Sequence, residues 1–186
     1  MNLRLLAFAC LVSASLLAAA DSKPAQAVPG LEIGARAPAF SLPSSTGGAL
    51  DLRALLARGP VALAFVRSAD WCPHCRRQLQ ELEKNLAPLK AAGVQLVALS
   101  YDAPATNAAA AKKLGLTFPL LSDVGSKTID AYGIRNHDAK GRSAGIPHPV
   151  LFLVDAQGVI RAKLARDNYR ERPEPAEILA AAQALR

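Results

Sequence analysis

The chain has 186 residues and a formal net charge of +7, from 22 lysines and arginines against 15 aspartates and glutamates. The basic residues are scattered along the chain rather than gathered in runs, and no aromatic residues alternate with them. This distribution argues against nucleic acid as a partner and favours a solvated basic surface. The length is ample for one hydrophobic core and short for two.

The first 27 residues have the pattern of a secretory signal peptide. Arg4 precedes a short apolar run that ends in small residues at Ala20, the order expected of a basic, an apolar and a cleavage region. Cleavage is expected after Ala20 or after Ala27. The apolar run falls short of the roughly 20 residues that a membrane span needs. We therefore predict export to the periplasm, with residues 1–27 and Cys10 removed and no stable membrane insertion.

The rest of the chain is predicted to be a flexible leader, residues 28–33, followed by one domain, residues 34–186. Apolar runs of strand length and amphipathic helical patterns alternate through that domain. The predicted strands are 40–42, 61–66, 94–99, 118–121, 150–154 and 159–164. The predicted helices are 50–56, 73–91, 105–114, 126–132 and 175–185. This order predicts an α/β fold with a central mixed β-sheet and helices on both faces.

Two cysteines mark the point where a buried strand gives way to a helix. Cys72 and Cys75 follow the apolar run 61–66 and open the predicted helix. A helix N-terminus favours an anion, so we expect a lowered thiol pKa at Cys72. A bridge that closes so small a loop adds little stability, and reactivity explains the pair better. Cys72, exposed at the helix start, would attack a disulfide, and the more shielded Cys75 would resolve the mixed disulfide.

The neighbours of the cysteines suggest supporting roles and argue against other chemistry. Trp71 is predicted to pack beside the thiols, and His74 to tune the charge of the attacking sulfur. Pro73 is tolerated because the first turn of a helix does not need its N–H. A zinc site would need four ligands, and covalent haem would need a histidine where Arg76 stands. We expect no metal and no cofactor.

Two basic regions stay open at this point. Arg67 is either solvated or holds a substrate anion. The segment 169–173, Tyr-Arg-Glu-Arg-Pro, is interpreted as surface structure without chemistry of its own.

The motifs that surround the cysteine pair carry a resemblance. Residues 34–42 read G-A-R-A-P-A-F-S-L, residues 97–102 V-A-L-S-Y-D and residues 152–158 F-L-V-D-A-Q-G. Their order around W-C-P-H-C resembles the peroxiredoxin-related AhpC/TSA branch of the thioredoxin fold. The resemblance covers residues 34–164. It implies a thioredoxin-like fold and a thiol-based redox activity.

The resemblance also implies roles for a second loop. Pro149 falls where the fold keeps a cis-proline beside the dithiol, with the backbone of His148 facing Cys72 to pair with an incoming chain. The dipeptide Pro73-His74 resembles that of strongly oxidising DsbA-type proteins. We therefore expect a reduction potential more oxidising than the roughly −270 mV of a thioredoxin.

One departure from the family pattern bears on the reaction. The peroxide-reacting cysteine of this branch lies in P-x-x-x-T-x-x-C, and alignment through the helix puts Cys75 at that cysteine, Cys72 at the threonine and Ser68 at the proline. The missing threonine favours exchange with a protein disulfide, with a thiol reductant or oxidant protein as redox partner. The alternatives are a peroxiredoxin-like peroxidase acting on hydroperoxides, a reductant for apocytochrome maturation, and a non-enzymatic domain with a structural disulfide.

Overall fold

The computed structural model describes residues 29–185. The strands of this part are β1 Ser41–Pro43, β2 Ala49–Asp51, β3 Val61–Phe65, β4 Gln95–Ser100, β5 Leu120–Ser122, β6 Val150–Val154 and β7 Ile160–Ala165. Its helices are α1 Leu52–Leu56, α2 Pro73–Lys84, α3 Leu86–Ala91, α4 Pro104–Leu114, α5 Lys127–Ala131 and α6 Pro175–Gln183. The predicted signal peptide, residues 1–27 with Cys10 and both cleavage sites, lies outside the described residues. Of the helices described, none has the length and apolar character to cross a bilayer.

Five strands form the central sheet in the order β5-β4-β3-β6-β7. β3 pairs in parallel with β4, and β4 pairs in parallel with β5. β3 pairs antiparallel with β6, and β6 pairs antiparallel with β7. β1 and β2 form a separate antiparallel pair. The predicted α/β architecture with a mixed sheet is therefore confirmed, and β3, which leads to the cysteines, lies at the centre of the sheet.

Side chains alternate between two cores along β3, because successive residues of a strand point to opposite faces. Ala62 and Ala64 join a core covered by α2, α3, α4 and α6. Leu63 and Phe65 join a second core covered by α1 and α5. Every residue of β3 is buried, as is every residue of β6. Helices therefore cover both faces of the sheet, as predicted, and the dithiol helix α2 packs on the first face.

The helix predicted over 73–91 is two helices. α2 ends at Lys84, Asn85 has the non-helical φ of −100° and ψ of 12°, and α3 begins at Leu86. Pro88 explains the break, because a proline has no N–H for the carbonyl four residues earlier and its ring clashes with that carbonyl. That carbonyl belongs to Lys84. At the break, the side-chain amide of Asn85 donates to the backbone carbonyl of Glu81 at 2.8 Å.

Residues 29–33, the described part of the predicted leader, contact the domain. The Leu31 N–H donates to the carbonyl of Tyr132 at 3.1 Å. Gly30 has a φ of +115°, and a side chain there would meet Ile134 and Phe152. Glycine adopts this φ at no steric cost, so the segment can dock closely on the second core. Gly30 therefore allows the segment to pack closely against the second core.

Smaller differences concern the ends of elements. The chain predicted as helix from residue 50 forms strand β2 first, and Asp51 then caps α1 by accepting from the Ala54 N–H at 3.1 Å. The extended segment predicted at 118–121 is β5, Leu120–Ser122. The turn between β6 and β7 is confirmed, with the Gly158 N–H donating to the Asp155 carbonyl at 2.9 Å.

Candidate active site

Cys72 is the N-cap residue of α2. Its backbone is extended, with φ −91° and ψ 106°, and its sulfur accepts a hydrogen bond from the Cys75 N–H at 3.2 Å. Pro73 occupies the first helical position, where its fixed φ suits the helix and its missing N–H is not needed. The helix therefore begins where the sequence predicts. An N–H of its first turn points at the sulfur of Cys72.

Cys72 and Cys75 are joined by a disulfide, with their Cα atoms 5.3 Å apart. Both residues belong to the first core, and their exposed fractions are 1% and 0%. The prediction that Cys72 is exposed is therefore wrong for the disulfide state. The bond to Cys75 and the hydrogen bond from its N–H turn the Cys72 sulfur toward the helix instead of toward solvent.

The C-terminal segment after β7 lies against the start of α2. The guanidinium of Arg172 places Nη2 3.5 Å from Cys75 Sγ, and its Nε donates to Gln78 Oε1 at 2.6 Å. Its Nη1 donates to the carbonyls of Tyr169 and Glu171 at 2.5 and 2.6 Å. The interpretation of 169–173 as surface structure without chemistry is therefore wrong at Arg172. No local sequence pattern indicates this contact, because it forms between distant parts of the chain.

Arg172 stays positively charged at neutral pH. Burial, and then the charges of Arg67 and Arg77, lowers the pKa of Arg172 to about 10. A guanidinium beside a sulfur favours the thiolate over the neutral thiol, because opposite charges attract most strongly where water is scarce. The geometry therefore supplies a cation at Cys75, in addition to the helix N-terminus at Cys72.

Trp71 lies between the cysteines and two further loops. It packs against the first core, and its indole Nε1–H donates to the Tyr101 hydroxyl at 3.1 Å. That hydroxyl donates to the carbonyl of Arg142 at 2.6 Å. Trp71 therefore connects the dithiol loop to the segment after β4 and to the long loop before β6.

A buried carboxylate holds the loop that precedes the cysteines. Asp102 accepts from the Ala69 N–H at 2.9 Å and from the hydroxyls of Ser68 and Ser100, each at 3.0 Å. The Ser68 hydroxyl oxygen in turn accepts from the Trp71 N–H at 3.3 Å. Burial raises the pKa of Asp102, and the hydrogen bonds offset only part of this effect. In the sequence Asp102 stands out only as part of the motif at 97–102, and no residue near it indicates its role under the dithiol loop.

His74 stands in the first turn of α2 amid several cations. Partial desolvation lowers its pKa first, and nearby positive charges lower it further. These charges belong to Arg77, Arg172, Arg170 and Arg67. The imidazole is therefore mainly uncharged at neutral pH, which limits the electrostatic tuning predicted for it to acidic conditions.

The loop before β6 differs from the prediction. The described residues contain no cis peptide bond, so the expected cis bond before Pro149 is wrong. The His148 N–H donates to the Ile134 carbonyl at 2.7 Å, and Pro147 forms a bridge with Arg135. This pairing carries the chain in extended form into β6. The backbone N–H of His148 is thereby used within the protein, whereas the prediction assigned that backbone to an incoming chain.

The described groups at the site are two sulfurs, a nearby guanidinium and the N-terminus of α2. Within residues 29–185, no group of three or more histidine, cysteine, aspartate or glutamate side chains is placed to hold a metal ion. In the loop before β6, burial is the main reason that the pKa of His148 is lowered.

Comparison with known proteins gives a consistent result. The model of the AhpC/TSA family matches residues 33–163. The thiol-disulfide oxidoreductase ResA of Halalkalibacterium halodurans is 33% identical over 128 residues, which cover 68% of this chain and 65% of ResA. The match thus spans slightly less than two thirds of that relative. Peroxiredoxin Bcp of Escherichia coli K12 is 32% identical over 131 residues, covering 70% of this chain and 83% of Bcp.

The fold has similar solved structures. The crystal structure of the peroxidoxin BcpB from Mycobacterium tuberculosis superposes with a TM-score of 0.73 at 23% identity. The match covers 84% of this chain and 99% of that one. At this level of identity the likeness establishes the thioredoxin-type arrangement of strands and helices and says nothing about substrates.

Proposed function

The chain belongs to the AhpC/TSA family, and on that premise we propose that it is a thiol-based oxidoreductase that works by thiol–disulfide exchange at Cys72 and Cys75. The observation that carries the proposal is the disulfide between these residues at the first turn of α2. The guanidinium of Arg172 beside Cys75 Sγ adds to it. A structural staple would gain nothing from a cation at one of its sulfurs.

The exchange takes place in two steps. In the reduced protein the Cys72 thiolate attacks one sulfur of a substrate disulfide, which forms a mixed disulfide and releases the other substrate sulfur as a thiolate. The Cys75 thiolate then attacks the Cys72 sulfur, re-forming the internal disulfide and releasing the second substrate thiolate. Two electrons pass from the protein to the substrate, and the released thiolates take up protons. With a substrate dithiol the same steps run in reverse.

The burial of the disulfide sets a condition on this reaction. Both sulfurs are covered in the oxidised state, so a thiolate that reduces the pair must reach a sulfur beneath Trp71 and the segment 169–173. Arg172 attaches that segment to α2 through Gln78 and Cys75, and its other contacts, to the carbonyls of Tyr169 and Glu171, lie within the segment itself. Movement of the segment would expose the pair during exchange.

The compartment and partners are part of the proposal. The basic and apolar pattern of residues 1–27 supports export to the periplasm, where a disulfide of this kind can be maintained. The partners would be a substrate that carries a disulfide or dithiol and a protein that resets the pair. The helix N-terminus at Cys72 and the cation at Cys75 favour an oxidising potential, so we expect a value above about −270 mV. A lower value would instead indicate a reductant, as in apocytochrome maturation.

Trapping variants test the proposal directly. The reduced Cys75→Ser variant should accumulate a mixed disulfide on Cys72 with bis(2-hydroxyethyl) disulfide, seen as added mass, because the resolving sulfur is absent. The Cys72→Ser variant, folded by circular dichroism, should lose turnover in the dithiothreitol-driven reduction of the same compound. Retained turnover in Cys72→Ser would contradict the assignment of the attacking residue. Absence of turnover in the wild type, together with absence of a mixed disulfide in Cys75→Ser, would leave a structural disulfide without enzymatic activity.

A peroxidase activity is the second candidate, and the position of Arg172 favours it specifically. The Cys75 thiolate would attack a hydroperoxide, giving a Cys75 sulfenic acid and an alcohol. The Cys72 thiol would then condense with the sulfenic acid, forming the disulfide and water. Stopped-flow mixing of the reduced protein with hydrogen peroxide tests this route. Oxidation no faster than that of free cysteine would exclude it, and fast oxidation that Cys72→Ser retains would establish Cys75 as the reacting sulfur.

A further inference from the structure

Arginines and aromatic rings alternate in a stack beside the dithiol. The guanidinium of Arg67 lies 5.3 Å from the ring centre of Trp71 and 4.7 Å from that of Tyr169. Arg142 lies 5.7 Å from the Trp71 ring, and Arg170 lies 5.6 Å from the Tyr169 ring. Three chain segments meet here: the dithiol loop, the loop before β6 and the segment after β7. Such contacts fix guanidinium groups in place while leaving their edges free to donate hydrogen bonds.

The charges around the dithiol are not neutralised by the protein. We call Arg67, Arg77, Arg142, Arg170 and Arg172 the arginine cluster. Within the part of the chain that the structure describes, none of the five forms an ion pair, whereas other arginines pair with aspartate or glutamate. The Nε atom of Arg67 is buried and has no hydrogen-bond partner among the described residues. Like charges gathered without counter-charges destabilise a fold, so their placement calls for a ligand that compensates them.

Part of the cluster lines a cleft whose wall includes Arg172, the residue that contacts Cys75. Arg77, Arg170 and Arg172 contribute to the walls of this cleft, of about 570 Å³, between α2 and the segment after β7. Arg172 places its guanidinium 3.5 Å from Cys75 Sγ. The volume lies in the range of small-molecule sites and is too small for a folded partner. A ligand held in the cleft by its charges would therefore lie near the sulfurs.

The acidic side chains of the same cleft have partners of their own. Glu81 pairs with Lys84 at 2.8 Å. Glu171 accepts from the Asn168 amide at 2.8 Å. Glu174 caps α6 by accepting a backbone N–H of its first turn. The neutral donors leave the negative charges of Glu171 and Glu174 in place, but the cluster's three arginines in the cleft wall outnumber them. The complementary charge of a ligand is therefore negative.

We propose that the arginine cluster binds the carboxylates of a small disulfide substrate, so that the protein exchanges preferentially with anionic disulfides of low molecular weight. Guanidinium groups match carboxylates in geometry and bind them through paired hydrogen bonds. The inference rests on the proposed exchange activity and adds to it the class of substrate. The exchange step is unchanged: the substrate disulfide is reduced to two thiols, and the protein dithiol is oxidised.

Three disulfides of matched length and different charge test the proposal. These are 3,3′-dithiodipropionate, bis(2-hydroxyethyl) disulfide and cystamine, which are anionic, neutral and cationic. Oxidation of the reduced protein is followed by the fluorescence of Trp71, the one tryptophan of the chain. Each rate constant is divided by that of dithiothreitol with the same disulfide, which removes differences in intrinsic reactivity. We expect the normalised rate for the anionic disulfide to exceed that for the cationic one about tenfold or more, and to fall as salt is added.

Single-charge variants separate a site from a general charge effect. Arg77→Gln and Arg170→Gln should each lower the ratio of the anionic to the neutral rate about threefold, the size expected from one exposed charge pair. Arg53→Gln is the matched control, because Arg53 is exposed on α1, which covers the opposite face of the sheet. It should keep the wild-type ratio. An equal loss in Arg53→Gln would overturn the assignment to the cluster.

The outcomes also distinguish the two proposals. Equal normalised rates for all three disulfides would overturn the selectivity and leave the exchange activity standing. Failure to react with any of the three, including the neutral one, would instead contradict the proposed function itself. A preference for cystamine would show that the cluster repels rather than recruits its substrate, and would likewise overturn the inference.

Discussion

Arg172 Nη2 lies 3.5 Å from Cys75 Sγ, although 97 positions separate the two residues in the chain. The contact brings a side chain that is cationic at neutral pH to the cysteine in the first turn of the helix. Cys72 lies at the N-terminus of α2, and the cation at Cys75 comes from the segment after the last strand. In the reduced protein the two sulfurs would therefore be stabilised as thiolates by different groups.

Replacing Arg172 with glutamine should make the pair less oxidising. The cation favours the thiolate and hence the reduced protein, so its loss destabilises the reduced form relative to the disulfide. We expect the reduction potential to fall by about 30 mV, which corresponds to about 1.4 kcal/mol for a two-electron couple. Equilibration with defined thiol–disulfide buffers, read by Trp71 fluorescence, measures it. Arg172→Lys should lower the potential less than Arg172→Gln does, and Arg53→Gln should leave it at the wild-type value. An unchanged potential in Arg172→Gln would refute the role of the Arg172 cation in stabilising the reduced form.

His74 should influence the dithiol only in acidic solution. Its pKa is lowered by partial desolvation and by the surrounding arginines, so the folded protein protonates it only at pH values under the usual imidazole pKa of about 6.5. Wild type and His74→Gln should therefore have equal reduction potentials at about pH 8. At lower pH the imidazolium favours the thiolate, and the wild type should become the stronger oxidant. If the reduction potentials of wild type and His74→Gln differ as much in alkaline as in acidic solution, the lowered pKa of His74 is contradicted.

Asp102 should give the stability of the protein a distinctive pH dependence. Burial raises its pKa, so the folded state disfavours its ionisation. Its contribution to stability is complete below the unfolded value of about 3.9 and is lost as pH rises through the raised folded value. Asp102→Asn lacks this titration and loses an acceptor for the Ala69 N–H or a serine hydroxyl, which costs about 1–3 kcal/mol. We expect its deficit to shrink from acidic to neutral pH.

Urea unfolding at a series of pH values checks this behaviour. Asp167→Asn, at an exposed position outside the buried network, serves as the control and should follow the wild type throughout. A deficit of Asp102→Asn that grows with pH would mean that hydrogen bonding outweighs burial and that the carboxylate is favoured in the folded protein.

Gly30 should tolerate no side chain. A Cβ there would lie 2.7 Å from Ile134 Cγ2, and the φ of +115° is itself unfavourable for other residues. Gly34 is a matched control, since its φ of +93° is similarly unfavourable but a Cβ would meet nothing within 4 Å. Gly30→Ala should therefore unfold at lower urea concentration than Gly34→Ala, by about 1–3 kcal/mol in free energy. Equal losses of unfolding free energy in the two variants would show that the segment around Gly30 moves away from the second core to accommodate the side chain.

Local patterns sufficed for the elements that carry the dithiol. The apolar run 61–66 predicted β3, and Pro73 after Cys72 predicted where α2 begins. Burial on both faces makes a strand apolar throughout, and a proline suits the first turn of a helix, so both signals are written in adjacent residues. The end of α2 was missed, since one helix was predicted over 73–91, although Pro88 marks the break four residues earlier.

The surroundings of the sulfurs were not readable in the same way. The contact of Arg172 with Cys75 depends on how the last strand leaves the sheet, and nothing near Arg172 in the sequence indicates it. The loss of exposure at Cys72 follows from the disulfide and from the packing of α2. The loop of His148 takes its form from pairing with residues near Ile134, which overrides the family expectation. Tertiary contacts thus determine the surroundings of the cysteine pair, which residues adjacent in sequence do not indicate.

The long sequence separation between the cysteines and segment 169–173 also affects the newly synthesised chain. A growing polypeptide leaves the ribosome from its N-terminus, so the sulfur pair emerges about a hundred residues before Arg172 does. An oxidant can therefore reach the nascent thiols freely, whereas both sulfurs are buried in the folded, disulfide-bonded protein. The nascent chain lacks the helix N-terminus and the guanidinium that favour a thiolate, so folding raises the reactivity of the sulfurs while it reduces access to them.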